Sequence, residues 1–230
     1  TTQLNDWTDG FFPCFLWYLY DYNHKEEWKQ VAIQWTEYLE PIKKITSHHD
    51  IGFLMYCSYG NAYRLTGNEK YKEVLIESAN SLCKRFDEAT GCIKSWNYRK
   101  AWNGKDEWFY AVINDNMRNL EVLYFATKVT GDLQYASIAN RHAETTLKND
   151  FRDDYSCYHV VDYDKDTGEV LHRATCQGFS DNSAWARGQA WAIYGYTMAY
   201  RETRNKEFLN AAVHAADFWL THPNLPEDGI

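Results

Sequence analysis

Between Asp181 and Gly195 the chain reads DNSAWARGQAWAIYG, which sets one guanidinium, an amide and two indoles on the first turns of what reads as a long helix. Trp185, Ala192 and Tyr196 carry the apolar spacing of a buried helical face. Arg187, Gln189 and Trp191 are unusual choices for the same turns if the helix only has to pack. A planar guanidinium pairs bidentately with a carboxylate, and an indole offers a flat face to a sugar ring, so these groups suit an anionic sugar. An amphipathic helix with a structural Arg is the plainer alternative. Two carboxylates supply candidate proton chemistry: Asp50 in SHHDIGFLMY and Asp115 in AVINDNMRNLEVLYF. Each stands just ahead of an apolar helical pattern, where an Asp ordinarily caps the helix. Two such residues on one rim, with Trp, His and Arg around them, fit the acid pair that glycoside hydrolysis uses.

Other chemistries find less support. His48 and His49 are adjacent and point apart on most backbones, and no His pairs with another at helical spacing. Asp162, Asp164 and Asp166 imitate a calcium loop, but Gly168 falls one position late and Arg173 stands where the closing Glu belongs. No nucleophile elbow, phosphate loop or dinucleotide fingerprint occurs. Neither a metal nor a cofactor is expected. The formal charge of −8 offers no basic stripe to phosphates, which argues against nucleic acid. An anionic ligand must then be attracted locally, against the global field. No apolar run reaches the roughly 20 residues of a membrane helix, so no membrane partner is expected. The six Cys show no metal spacing; Cys14, Cys57 and Cys83 lie within apolar helical patterns and read as small buried hydrophobes. The 10 Trp, 18 Tyr and 11 Phe exceed what a core of this size needs, and carbohydrate clefts commonly take such a surplus.

The elements that must position these residues are helical. HKEEWKQVAIQW from His24, NEKYKEVLIESA from Asn68, DLQYASIANRHA from Asp132 and NKEFLNAAVHAA from Asn205 share a polar start, an early aromatic and helical apolar spacing. Each follows another helical segment, at 10–22, 50–65, 116–129 and 183–203, and glycine stops at Gly67 and Gly131 mark two of the junctions. The chain is thus expected to be all-α, built of stacked helical hairpins. Stacking gathers the starts of the first helices at one end, with Trp7, Asp50, Asp115 and Arg187 on that rim. Long connections at 87–114 and 150–182 lead into it, and YHVVDYDKDTGEVLHRA in the second is expected to form a β-hairpin flap. An open peptide-binding solenoid and a closed α/α toroid remain; the long one-sided loops and rim carboxylates favour the toroid.

Taken in order, DWTDGFFPCFLWYLY, HHDIGF, KSW at Lys94, INDNMRNL and QGFSDNSAWARGQAWAIYG resemble the unsaturated glucuronyl hydrolases of glycoside hydrolase family 88, across essentially the whole chain. The resemblance implies an (α/α)6 toroid of helical hairpins. It also implies removal of a 4,5-unsaturated uronic acid from the non-reducing end of lyase-generated oligosaccharides, by hydration of the C4–C5 double bond. Asp115 is then the general acid and base, which must arrive protonated, and Asp50 the neighbouring carboxylate. Trp7, His49, Trp96, His159, Gln177, Arg187 and Trp191 line the sugar pocket, with Arg187 on the uronate carboxylate. The partner is an oligosaccharide ending in an unsaturated uronic acid.

An unsaturated rhamnogalacturonyl hydrolase acting on pectin fragments is the alternative within the toroid class, and a non-catalytic helical scaffold that binds carbohydrate or peptide the alternative outside it. Two departures from the family pattern stand near Asp115. NYRKAWNGKDEWFYAV is a few residues longer than usual, and Asn114 replaces an apolar residue; both bear on the leaving-sugar side. Residues 1–230 are expected to form a single catalytic domain, truncated at its C-terminal end after about four hairpins, with Phe218 and Trp219 more exposed than their types warrant. The chain begins at Thr1 without Met, so a signal peptide is not legible and bacterial cytoplasm or periplasm stays open.

Overall fold

The computed structural model describes residues 6–101, 104 and 107–226. Its helices are α1 (Phe11–Asn23), α2 (Glu26–Tyr38), α3 (Ile51–Met55), α4 (Asn61–Thr66), α5 (Glu69–Cys83), α6 (Glu121–Thr130), α7 (Leu133–Asn149), α8 (Ala186–Thr203) and α9 (Lys206–Leu220). The short strands are β1 (Phe86–Asp87), β2 (Cys92–Ile93), β3 (Arg99–Lys100), β4 (Glu107–Trp108), β5 (Ala111–Ile113), β6 (Val160–Tyr163) and β7 (Val170–Ala174).

The hairpin junctions are built alike, which explains the sequence repeat. α4, α6 and α8 each end in a Thr whose hydroxyl bonds back to the carbonyl four residues earlier: Thr66 to Ala62 at 2.6 Å, Thr130 to Ala126 at 2.7 Å and Thr203 to Ala199 at 2.7 Å. The same hydroxyl accepts the amide of the next cap residue, Asn68, Asp132 or Asn205. That cap in turn holds the amide two residues on, at Lys70, Gln134 or Glu207. Between Thr and cap the chain must turn left-handed. Gly67 (φ 65°) and Gly131 (φ 77°) do so without strain, whereas Arg204 (φ 61°) and, after α1, His24 (φ 52°) take the same conformation with a side chain.

Two compact units divide the chain: residues 1–85 with 121–136, and residues 86–120 with 137–230. In the first, the buried indole of Trp17 in α1 donates to Thr36 of α2 at 2.8 Å. α1 starts hard against the helix beyond Asp50, since a Cβ on Gly10 would fall 2.4 Å from the Leu54 carbonyl. The helix expected over 50–65 carries a π-helical insertion, Tyr56–Gly60, between α3 and α4. Ser58 spends its hydroxyl there on the Leu54 and Met55 carbonyls. Cys14 departs from its expected role: it is half-buried, and hydrogen bonding with the Cys57 thiol lowers its pKa. Cys57 and Cys83 are likewise half-buried, and at Cys83 burial pushes the thiol up to about 12.

In the second unit β5, β6 and β7 form an antiparallel sheet in that order. The expected flap is therefore corrected. β6–β7 is a hairpin turning at Gly168 (φ 74°), but β6 also pairs with β5 and is buried along its whole length. Four consecutive buried residues, VVDY, suit a central strand better than a solvated arm. Asp162 is tied to the Tyr110 amide at 2.9 Å, and Asp164 holds the turn amides of Asp166 and Thr167. The residues that imitated a calcium loop thus serve strand and turn. Phe218 and Trp219, expected to be unusually exposed, are half-buried.

Candidate active site

The first unit carries Trp7, His49 and Asp50. Trp7 meets Phe11 edge-on at 5.8 Å, and Phe11 meets Phe53 at 5.1 Å, so an aromatic ladder ties Trp7 to the start of α3. Asp50 stands at that start without capping it. Its carboxylate instead lies between two imidazoles, 3.5 Å from Nε2 of the buried His49 and 3.6 Å from Nδ1 of His48. Burial holds the His48 pKa below the usual imidazole value, against the pull of the Asp50 charge.

The second unit carries the larger group. Asp115 lies in a 3-10 helix, Asn114–Leu120, that follows β5 directly, and its side chain is almost wholly buried. The strand register pairs Ile113 with Val160, and the Asn114 amide donates to the His159 carbonyl at 3.3 Å. Sheet pairing thereby brings the Asp115 segment alongside His159. The His159 ring sits 4.2 Å from the Trp185 ring at 36°, and meets Trp96 edge-on at 6.3 Å. Trp96 stacks on the buried Trp108 at 6.1 Å and 27°. Nδ1 of His159 accepts the amides of Cys176 and Gln177 at 3.0 and 3.2 Å, which leaves the proton of the neutral ring on Nε2.

Gln177 links this wall to Arg187. Its side-chain oxygen accepts from the Arg187 guanidinium, which also lies 4.4 Å over the Trp185 ring. Both residues are exposed, so the guanidinium is held from two sides and still faces solvent. Trp191, one turn along α8, is covered by the buried Arg118 at 4.5 Å.

Two assignments change, and a third residue joins the group. Gln189, read with Arg187 and Trp191 as a sugar-holding group, is buried and fully committed to backbone: it accepts from Cys157 N at 2.8 Å and donates to the Tyr155 and Ala215 carbonyls. Trp185, read as part of a packing face, precedes α8 and connects His159 with Arg187. Arg118 was not singled out. Its signal is the spacing Asp115-x-x-Arg118, because residues three apart eclipse in a 3-10 turn and share a face. Asn114 is buried with its amide against Gly188, where a Cβ would fall 2.8 Å from Nδ2.

Residues 1–220 match the family described as Glycosyl Hydrolase Family 88. The chain belongs to this family. It is 47% identical over 98% of its length to an unsaturated glucuronyl hydrolase of Formosa agariphila, of which it spans 55%. An unsaturated chondroitin disaccharide hydrolase of Streptococcus agalactiae is 36% identical over 98% of this chain and 56% of that protein. Among solved structures, an unsaturated glucuronyl hydrolase specific for heparin matches all of this chain and 60% of its own, with 45% identity and a TM-score of 0.94. The family 88 scaffold of this chain is of the mostly helical, α/α-toroid class that the resemblance implies. The chain spans just over half the length of the relatives it matches.

Proposed function

We propose that this family 88 chain forms part of a hydrolase that removes a 4,5-unsaturated uronic acid from the non-reducing end of lyase-generated oligosaccharides. The observation that carries this reading is the pairing of Asn114 with His159, since it sets the buried Asp115 segment beside an aromatic wall that ends in the Arg187–Gln177 pair. A flat wall suits a sugar ring, the guanidinium suits its carboxylate, and a buried carboxyl suits proton transfer.

In this mechanism Asp115 arrives protonated and delivers its proton to C4. The cation developing at C5 is stabilised by the ring oxygen. Asp115, now a carboxylate, takes a proton from water as the water oxygen bonds to C5. The resulting hemiketal opens and releases the neighbouring sugar. Asp50, set between two imidazoles, is the second carboxylate of the proposal, and Trp7 and His49 accompany it in substrate binding. Trp96, His159, Gln177, Arg187 and Trp191 bind the uronate. The test is loss of the double-bond absorbance when the full-length protein meets an unsaturated disaccharide, compared with its Asp115→Asn variant. Consumption by the wild type, lowered about 10²- to 10⁴-fold in the variant, is expected. Equal rates would make the chain a scaffold and overturn the reading.

A further inference from the structure

Between Trp96 and Asp115 two short paired strands present two different faces. β3 and β4 pair Arg99 with Trp108 and Lys100 with Glu107. Alternation along a strand sends Arg99 and Trp108 to one side and their neighbours to the other. Tyr98 and Phe109 are both exposed, with ring centroids 5.3 Å apart. Trp108 is completely buried and stacks beneath Trp96. Arg99, opposite Trp108, lays its guanidinium over the other indole of that stack, 4.5 Å from the Trp96 ring centroid.

Arg99 therefore sits at the end of the aromatic wall remote from Arg187. Read along contacts, the wall runs Arg99, Trp96, His159, Trp185, Arg187. A second observation ties Arg99 to the site: its charge acts on the Cys176 thiol, next to Gln177 in sequence. Among the described residues Arg99 makes no ion pair, and it is exposed. A guanidinium held over an indole still carries N–H donors in a fork that fits a two-pronged acceptor. In a chain of net charge −8, such a cation is a local exception to a repelling field.

We propose that Arg99 recognises a sulfate on the sugar next to the unsaturated uronate. The inference rests on the function proposed above and deepens it: Arg187 takes the uronate at one end of the wall, and Arg99 reads the charge of the leaving sugar at the other. The pairing of β3 with β4, which sets Arg99 opposite Trp108, is then a specificity device.

The test uses the full-length protein with one unsaturated disaccharide in unsulfated form and in monosulfated forms, each sulfate position on the second sugar taken separately. The readout is the ratio of kcat/KM, sulfated over unsulfated. With Arg99→Ala the ratio for at least one position is expected to fall about 10- to 100-fold, through KM. Arg99→Lys, which keeps charge without the planar fork, should lie between. Lys100→Ala, altering a cation on the opposite face, should leave the ratio within about twofold. A ratio unchanged in Arg99→Ala for every position, or lowered as much by Lys100→Ala, overturns the role of Arg99 while leaving the proposed reaction standing. A wild type that consumes none of the disaccharides overturns the proposed reaction, and the role of Arg99 with it.

Discussion

Arg187 is an exposed residue with little freedom. The Trp185 ring lies 4.4 Å under its guanidinium and the Gln177 side-chain oxygen accepts from it, so the fork is held from two sides. Lysine carries the charge without the plane or the fork. Arg187→Lys is expected to raise KM for an unsaturated disaccharide by roughly tenfold or more while Tm stays within about 2 °C of wild type. Steady-state kinetics beside a melting curve checks both, and an unchanged KM would remove Arg187 from the carboxylate. At this scale the sequence announces residue types better than directions. Arg187, Gln177, His159 and Trp96 are recognisable as polar or aromatic groups in excess of packing needs, and they do meet. Gln189 carries the same signal but points inward, because a carboxamide offers both the donors and the acceptor that a buried run of backbone at Tyr155, Cys157 and Ala215 requires. Trp185 reads as a packing residue because it keeps helical spacing with Ala192 and Tyr196, although it lies just ahead of the helix.

At the scale of elements, α8 is held close to the segment bearing Asp115 by small residues. Gly188, Ala192, Gly195 and Ala199 are all buried on one face. A Cβ on Gly195 would lie 2.3 Å from the Met117 Cβ and 3.1 Å from the Met117 carbonyl carbon, which cannot swing away as a side-chain tip can. Gly195→Ala should therefore cost about 1–3 kcal/mol by overpacking and lower kcat, because the 3-10 helix carrying Asp115 must yield. Urea denaturation with parallel kinetics measures both, and a variant as stable and active as wild type would refute the tight contact. The junctions give the opposite sign. Arg204 holds a conformation that costs an ordinary L-residue about 1–2 kcal/mol. Arg204→Gly should recover up to about 1 kcal/mol, since the flexibility glycine adds to the unfolded chain offsets part of the relief. An unfolding midpoint below wild type would contradict it. The hairpins were legible because three of their boundaries share a local device of Thr, left-handed turn and cap. The π insertion and the three-stranded sheet were not, since one depends on what packs around Ser58 and the other on pairing between distant segments.

For the molecule as a whole, Asp150 sets a dependence on pH. It follows the C-terminus of α7, where negative charge opposes the helix dipole. It is buried, with one carboxyl oxygen lacking a hydrogen-bond partner, near Cys92, Cys157, Tyr163 and Tyr196. Burial raises its pKa well above the ordinary 3.8, against the pull of Arg173. The native state then keeps a proton that the unfolded chain has released, so stability falls as pH rises above the unfolded value. Asp150→Asn removes this titration. Its Tm is expected to change less than that of wild type between pH 5 and pH 8, by on the order of 2–4 °C; parallel curves would exonerate Asp150. The sheet joining β5 to β6 also has a consequence in time. Each helical hairpin closes over a short stretch of chain, whereas Ile113 finds Val160 only after all the residues between them are looped out. Closure entropy grows with that separation, and distant pairings form slowly. During refolding the helices should therefore appear first, and the alignment of the Asp115 segment with His159 last. Far-UV dichroism would recover ahead of the near-UV tryptophan bands and of activity; simultaneous recovery would contradict this order. A newly made chain would pass through a helical but catalytically silent interval whose length is set by a single strand register.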